Sequence, residues 1–396
     1  MQLSSLLQRF NEPETLKMAK LGRELRAQGI DVIDLSLGEP DFDTPEHIKE
    51  AAIKAIRDNW SHYTPVPGYL DLREAICAKL KRDNNLDYKP ENIVVSTGAK
   101  QSLANAVLAL VDENDDVLIP TPYWVTYSEL VKIARGRVVE IKTNPKSGFK
   151  ITPEQLEAAI TPHTKVFLFS SPCNPSGAVY SKAELEGLVN VFRKYPNISI
   201  ISDEIYEYIN FVGKHESIAQ FEDIKDRVII VNGLSKGFAM TGWRLGYIAA
   251  DATIAKACEK IQGQFTSGTS SITQKAAVAA LTTDLRPTME MVKEFTRRRQ
   301  RVLELVNNIP GIECSAPDGA FYIFPDISYY YGKTDGKTVI HTSGDLCMYL
   351  LNTAHVSSVM GEAFGDPDCV RFSFANSMEK IEEAWGRIAK ALAALK

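Results

Sequence analysis

The sequence predicts an α/β protein: a large domain on a mostly parallel, doubly wound seven-stranded sheet covered by helices, and a smaller α+β domain drawn from both termini. Three observations predict it. Short β-branched runs recur between Ile93 and Ala249, segments of helical periodicity lie between most of them, and the pattern changes beyond about Arg286.

In chain order, Glu14 to Gln28 reads as a helix and Asp31 to Leu37 as a strand. Both precede the main sheet and are expected to pack on the C-terminal part. The runs then follow as Ile93 to Ser96, Val117 to Pro120, Val138 to Ile141, Val166 to Phe169, Ile198 to Ile201, Val228 to Val231 and Leu245 to Ile248. Nearly continuous apolar runs suit strands covered on both faces, as in a parallel sheet. Gln101 to Leu110, Ser181 to Lys194 and Ala252 to Gln262 carry the helical spacing between runs. Past Arg286 a long charged helix runs through Arg297 to Arg301, and Gly319 to Pro325 reads as a strand of a second sheet. The expected limits are 1–44 and 286–396 for the small domain and 45–285 for the large one. Neither an internal repeat nor a low-complexity tract interrupts this plan.

At 396 residues the chain can bury a large core. Its formal charge of −5, from 45 basic and 50 acidic residues spread along the chain, recommends neither nucleic acid nor an anionic membrane. The cysteines lack a Cys-x-x-Cys pair, and the histidines lack a His-x-x-x-His or His-Glu-x-x-His pattern, so no metal is expected. Met1 to Phe10 has no apolar core behind a basic start, and no apolar run approaches the roughly 18 to 20 residues of a membrane span. A soluble cytoplasmic protein acting on small molecules is the expectation.

The chemistry concentrates at strand ends. Lys236 follows the run Val228 to Val231 in Asn232-Gly-Leu-Ser-Lys-Gly-Phe-Ala, where desolvation and nearby positive charge would depress its pKa and favour imine formation with an aldehyde. A loop lysine is usually a solvated surface residue, so the weight comes from its neighbours. Asp203 closes the run Ile198 to Ser202 at the end where open α/β sheets bind ligands; a buried carboxylate there needs a cation such as a pyridinium N–H. Tyr206, with Asn174 of Ser171-Pro-Cys-Asn-Pro-Ser-Gly177, is placed to meet a ring hydroxyl. The bland readings are a capping aspartate and an Asn-Pro turn.

Ser96-Thr-Gly-Ala-Lys-Gln101 joins a strand to a helix, so the amides of Gly98, Ala99 and Lys100 can cradle a phosphate, with Arg244 as bidentate countercharge. Trp124 offers a stacking face, with Tyr123 as the alternative. Arg371, a lone arginine in the apolar stretch Val370 to Asn376, calls for an anion, assigned as a substrate α-carboxylate. An amine, an acid, a phenol and a guanidinium together suit pyridoxal 5′-phosphate. A P-loop, a G-x-G-x-x-G turn and a G-x-S-x-G elbow are all missing, which disfavours nucleotide and serine-hydrolase chemistry.

From Gly38-Glu-Pro-Asp-Phe-Asp-Thr-Pro45 to Arg371, these residues resemble the class I, fold-type I pyridoxal-phosphate aminotransferases, and among them the bacterial aspartate aminotransferases of subgroup Ib. The resemblance implies a homodimer with shared active sites, in which Tyr63 of His62-Tyr-Thr-Pro-Val-Pro-Gly68 reaches the neighbour's phosphate. It implies that the Gly38 backbone and Arg371 hold the substrate α-carboxylate, that Trp124 and Asn174 line the same pocket, and that Lys100 takes the distal carboxylate. Lys236 would be the catalytic lysine. The implied reaction moves the amino group of L-aspartate to 2-oxoglutarate, giving oxaloacetate and L-glutamate. Family members that also use prephenate tend to carry a lysine before the proline where this chain has Glu12 before Pro13. Aspartate is therefore the first choice, with prephenate, aromatic or kynurenine donors, or a β-lyase reaction as alternatives. A ligand-sensing domain is the non-enzymatic rival.

Overall fold

The computed structural model describes residues 3 to 396; Met1 and Gln2, at the start of the expected 1–44 segment, lie outside the described residues. The first strand, β1 (Ile33–Asp34), precedes the main sheet. That sheet comprises β2 (Ile93–Ser96), β3 (Asp116–Pro120), β4 (Arg137–Ile141), β5 (Thr164–Ser170), β6 (Ser199–Asp203), β7 (Val228–Gly233) and β8 (Gly246–Ala249). The seven strands lie in the order β2-β8-β7-β6-β5-β3-β4. Every expected run falls on one of them, displaced by a few residues at most. Strands β2, β3 and β7 are buried throughout, as their apolar sequences require, whereas β4 at the sheet edge is only partly covered.

Pairings among β3 to β7 are parallel, but β8 runs antiparallel to both β7 and β2. The exception has a consequence for the site. The carboxyl ends of the parallel strands share one edge of the sheet, and the reversed β8 brings its amino end to that same edge, pairing Gly246 with Gly233 and with Ser96. Arg244, just before β8, is delivered there. Gly246 itself lies so near the Gly98–Ala99 backbone that a β-carbon would collide with it.

Helix starts follow local chemistry. Ser181 and Glu184 form a reciprocal capping box for the helix Lys182–Phe192. The helix Ala99–Leu110 begins instead at Gly98, whose φ of 84° is a left-handed conformation that glycine accepts without strain.

The remaining strands are short: β9 (Tyr322–Ile323), β10 (Val356–Ser357), β11 (Val359–Met360) and β12 (Val370–Ser373). β1 pairs in parallel with β10, while β12 lies antiparallel between β11 and β9. The helices Glu14–Ala27, Arg286–Asn307 and Met378–Ala393 close a core that joins Met18, Val32 and Leu35 to Phe295, Phe321, Val356 and Trp385. Tyr206 and Ile209, from the segment after β6, also enter this core. The stretch Gly319 to Pro325 is a shorter strand than expected because its flanking backbone bonds elsewhere: Ala320 N–H donates to the Ile209 carbonyl at 2.8 Å. Likewise only Ile33–Asp34 of the expected Asp31 to Leu37 strand is paired as β1. Among the described residues no helix is long and apolar enough to cross a membrane.

Two stretches of chain that pass between the main-sheet core and this second core grip the segment that carries Lys236. Thr44 Oγ1 donates to the Ala239 carbonyl at 2.7 Å, and Thr288 Oγ1 to the Gly237 carbonyl at 2.7 Å. These two carbonyls are thereby satisfied by side chains from outside the loop.

Gly246→Ala is expected to lower stability by at least about 1–3 kcal/mol, because its new methyl meets rigid backbone rather than a flexible side chain. Urea unfolding of the variant beside the wild type measures it.

Candidate active site

A cavity of about 350 Å³ opens at this edge of the sheet. That volume lies within the range of small-molecule sites. Its walls bring together Gly38, Ala99, Lys100, Trp124, Asn174, Asp203, Tyr206, Lys236, Arg244 and Arg371, residues scattered over most of the sequence. Gly98 borders it from behind, against the Arg244 guanidinium. Tyr63 stands apart: it is 99% exposed and does not line the cavity of its own chain. Tyr123 is not available as a stacking face, since it is buried and donates its hydroxyl to Glu140 Oε1 at 2.7 Å.

Lys236 reaches the cavity from the turn after β7, its amine donating to the Gly38 carbonyl. Burial first, and then the Arg371 charge, pull its pKa down to about 8. A minor but appreciable fraction of the amine is thus neutral and nucleophilic near physiological pH, far more than for an ordinary lysine.

Asp203, at the end of β6, is 3% exposed. Tyr127 Oη donates to its Oδ2 at 2.7 Å and the Ile205 amide to its Oδ1 at 3.2 Å. Burial nevertheless pushes the carboxyl up to about 6, outweighing both donors. A carboxylate so held gains from a cationic partner in the cavity. Burial and the neighbouring Asp203 push the Tyr127 phenol well up, so it remains protonated and keeps donating.

Arg371, on β12, is 2% exposed. Its Nη1 donates to Asn174 Oδ1 at 2.9 Å and its Nη2 to the Ser36 carbonyl at 2.6 Å, while its Nε is buried without a partner. Burial lowers its pKa, yet a guanidinium stays charged. A charged, dehydrated guanidinium whose Nη atoms each make one bond and keep a further N–H is an invitation to an anion. Toward solvent, Lys100 extends over the Trp124 ring at 4.9 Å from its centroid, with burial and the Arg244 charge lowering its pKa. Arg244 adopts a left-handed φ of 58° and bonds the Thr241 carbonyl at 2.8 Å rather than a carboxylate.

Residues that sequence reasoning missed complete the wall. Tyr127 lies three residues after Trp124, but only the fold aims it at Asp203. Tyr322 bonds Tyr206, their hydroxyl oxygens 2.7 Å apart. Ser235, next to the lysine, and Glu39, next to Gly38, were legible only by adjacency; Glu39 Oε2 accepts from Thr241 Oγ1 at 3.0 Å. Thr15 and Leu16 line the mouth from the N-terminal helix.

Residues 30–388 match the family described as aminotransferase class I and II. The chain belongs to that family. An aspartate/prephenate aminotransferase of Nitrosomonas europaea is 45% identical, the match covering 99% of this chain and 100% of that protein. A bifunctional aspartate aminotransferase and glutamate/aspartate-prephenate aminotransferase of Petunia hybrida is also 45% identical, over 100% of this chain and 83% of that protein. Among solved structures, the aspartate aminotransferase of Rhizobium meliloti superposes with a TM-score of 0.96 at 42% identity, covering 100% of both chains. That of Thermus thermophilus with maleate gives 0.93 at 38% identity, over 99% of this chain and 100% of that one.

The cofactor of class I and II aminotransferases is pyridoxal 5′-phosphate. The residues present fit it on their own chemistry: a depressed lysine, a buried carboxylate lacking a cation, and a glycine turn at a helix start beside an arginine without a carboxylate partner.

Two measurements test the electrostatics of this aminotransferase pocket. In the cofactor-free protein, labelling of Lys236 by trinitrobenzenesulfonate, located by peptide mapping, is expected to rise with a midpoint near pH 8 rather than at the ordinary 10.5. The second concerns Asp203, whose folded value near 6 exceeds the ordinary 3.8. The folded state holds the extra proton between those values, so stability falls as pH rises through that window and the cost persists at neutral pH. Cofactor-free Asp203→Asn is therefore expected to be more stable than wild type at neutral pH, by up to about 3 kcal/mol. The gap in urea unfolding should close as pH falls below about 4.

Proposed function

We propose that this chain is an aspartate aminotransferase, moving the amino group of L-aspartate to 2-oxoglutarate and yielding oxaloacetate and L-glutamate. The observation that carries this reading is the pair of cations flanking the pocket: Arg371 inside, with N–H groups to spare after its two hydrogen bonds, and Lys100 at the mouth over Trp124. A dicarboxylate answers both. The relatives' names support the choice, as does the maleate of the Thermus structure, itself a four-carbon dicarboxylate.

Pyridoxal phosphate, when bound, supplies a ring that withdraws the electron pair left at the substrate Cα. The chain's own residues do the rest. Lys236 Nζ would hold the cofactor through its aldehyde carbon and, as a free amine, would be the base placed to take the substrate Cα proton. Asp203 keeps the ring nitrogen protonated, with Tyr127 fixing the carboxylate. Tyr206 donates to the ring hydroxyl oxygen, Asn174 lies beside it, and Trp124 offers its face. Arg244 and the amides at Gly98, Ala99 and Lys100 hold the phosphate. Arg371 and the Gly38 backbone orient the α-carboxylate, which settles which Cα bond faces Lys236.

The reading extends to two domains, 45–285 against 1–44 with 286–396, and to a homodimer. The exposed Tyr63 belongs to a loop pinned by Gln262 Nε2 on the Val66 carbonyl at 2.8 Å and by Gln274 Nε2 on Thr64 Oγ1 at 3.2 Å. Ile56, Trp60, Leu70 and Phe265 are likewise exposed large hydrophobic residues. Pairing two copies through this face covers them and carries Tyr63 of one protomer to its partner's phosphate site.

Prephenate is the second reading, favoured by the names of the relatives. Here Glu12, exposed and three residues before the pocket-lining Thr15, stands where such family members tend to carry a lysine.

Oxaloacetate formation from aspartate and 2-oxoglutarate, set beside prephenate and phenylalanine as alternatives, tests the assignment; absence of aspartate turnover would sink it. Lys100→Ala is expected to raise KM for aspartate about tenfold or more, the worth of one charged contact, while an aromatic donor changes less than about twofold. Equal losses for both donors would remove Lys100 from the distal carboxylate.

A further inference from the structure

Tyr322 lines the cavity but has no part in the reaction as set out above. It lies on β9 opposite Ser373 of β12, so its side chain emerges on the face shared by Arg371 two residues earlier on that strand. The Arg371 guanidinium rests over its ring, 4.5 Å from the centroid. Its hydroxyl is 2.7 Å from that of Tyr206, and neither hydroxyl has another hydrogen-bond partner among the described residues. A β-carbon at position 38 would overlap the Tyr322 hydroxyl, and the Gly38 carbonyl accepts the Lys236 amine. One phenol thus touches the arginine, the second phenol and the strap that receives the lysine.

We propose that Tyr322 is a positioning residue: its hydroxyl donates to the Tyr206 oxygen, turning the Tyr206 proton into the pocket, while its ring seats the Arg371 guanidinium. The inference rests on the reading of the pocket as a pyridoxal phosphate site with Tyr206 facing the ring hydroxyl. Proton accounting carries it. Two phenols own two protons, and the bond between them uses one. Were Tyr206 the donor, only its lone pairs would face the ligand, and an anionic ring oxygen would meet no proton from it. With Tyr322 as donor, the Tyr206 proton is free, and an O–H whose oxygen already accepts a bond is a stronger donor.

The surroundings favour that direction. Both phenols are pushed up by burial and both are lowered by the Arg371 charge, but the Asp203 carboxylate raises Tyr206 and is not among the groups acting on Tyr322. In a bond between like groups the more acidic one gives the proton. A merely structural role would be edge-to-face packing: Tyr206 meets Phe321 and Tyr322 at centroid distances of 5.4 and 5.9 Å. Phenylalanine would preserve that packing, so the hydroxyl can be tested separately from the ring.

Tyr322→Phe and Tyr322→Leu are compared with wild type in three measurements: pyridoxal phosphate dissociation from the protein, the midpoint pH of the bound cofactor's absorbance change, and the dissociation constant of succinate. Tyr322→Phe should bind the cofactor about two- to tenfold more weakly, the worth of one hydrogen bond. Its absorbance midpoint should move up by about half to one pH unit, with succinate binding within about twofold of wild type. Tyr322→Leu should show the same changes and weaken succinate as well. Wild-type cofactor affinity and midpoint in a folded Tyr322→Phe protein would reduce the hydroxyl to packing and overturn the proposal. Fluorotyrosine at position 322, a more acidic donor of nearly the same shape, should move the midpoint down even if the phenylalanine variant does not fold; a shift upward would reverse the direction of donation and overturn it equally. Borohydride reduction of wild type with cofactor separates the two readings: no label on Lys236 rejects the cofactor site itself, whereas a labelled Lys236 with an unshifted Tyr322→Phe midpoint rejects only the role of Tyr322.

Discussion

A carboxylate buried without a cation is the constraint around which this molecule is arranged. Asp203 sits at the end of a central strand with one phenol and one amide for partners, and burial still drives its pKa up to about 6. Across the same cavity a lysine is pushed down to about 8 and an arginine keeps a buried N–H unspent. Each group is held in a state that costs stability in the empty pocket. A ligand with a protonated ring nitrogen, an aldehyde and anionic groups relieves all of them together. The binding energy of such a ligand therefore comes in part from penalties the fold has already accepted.

Holding those groups in register requires a stiff frame, and the sheet supplies it. Parallel strands deliver Asn174, Asp203 and Lys236 to one edge, and the reversed β8 brings Arg244 to the same place. The close approach of Gly246 to the Gly98 turn fixes the phosphate cradle against that arginine. Thr44 and Thr288, from two stretches that pass between the cores, grip the carbonyls of the lysine segment. A displacement of the second core, which carries Arg371 and Tyr322, would thus be felt at Lys236 through short, directional bonds.

Much of the site was legible because its chemistry is unusual for its setting. Arg371 in an apolar strand and Asp203 closing a buried run are both costly, and such residues announce themselves in a sequence. Tyr127 and Tyr322 do not, since a tyrosine in an apolar stretch is an ordinary core residue until a neighbour gives its hydroxyl a task. Glu39 and Ser235 were hidden for the opposite reason, being common polar residues in loops. The same blindness covers His215, buried with its Nε2 3.0 Å from Glu204 Oε2, where burial lowers its pKa but Glu204 and Glu207 together raise it overall. Nothing in its sequence context separates it from the exposed histidines.

The sequence by itself determined the alternation of strands and helices, the cofactor chemistry and most of the groups that face it, because periodicity and unpaired charge are properties of residue type and spacing. Only the tertiary structure decided that β8 runs backwards, that Tyr63 points away from its own pocket, and that two phenols share a hydrogen bond at the junction of the cores. Direction, register and pairing between residues more than a hundred positions apart arise from packing, to which the local pattern of any one segment is indifferent.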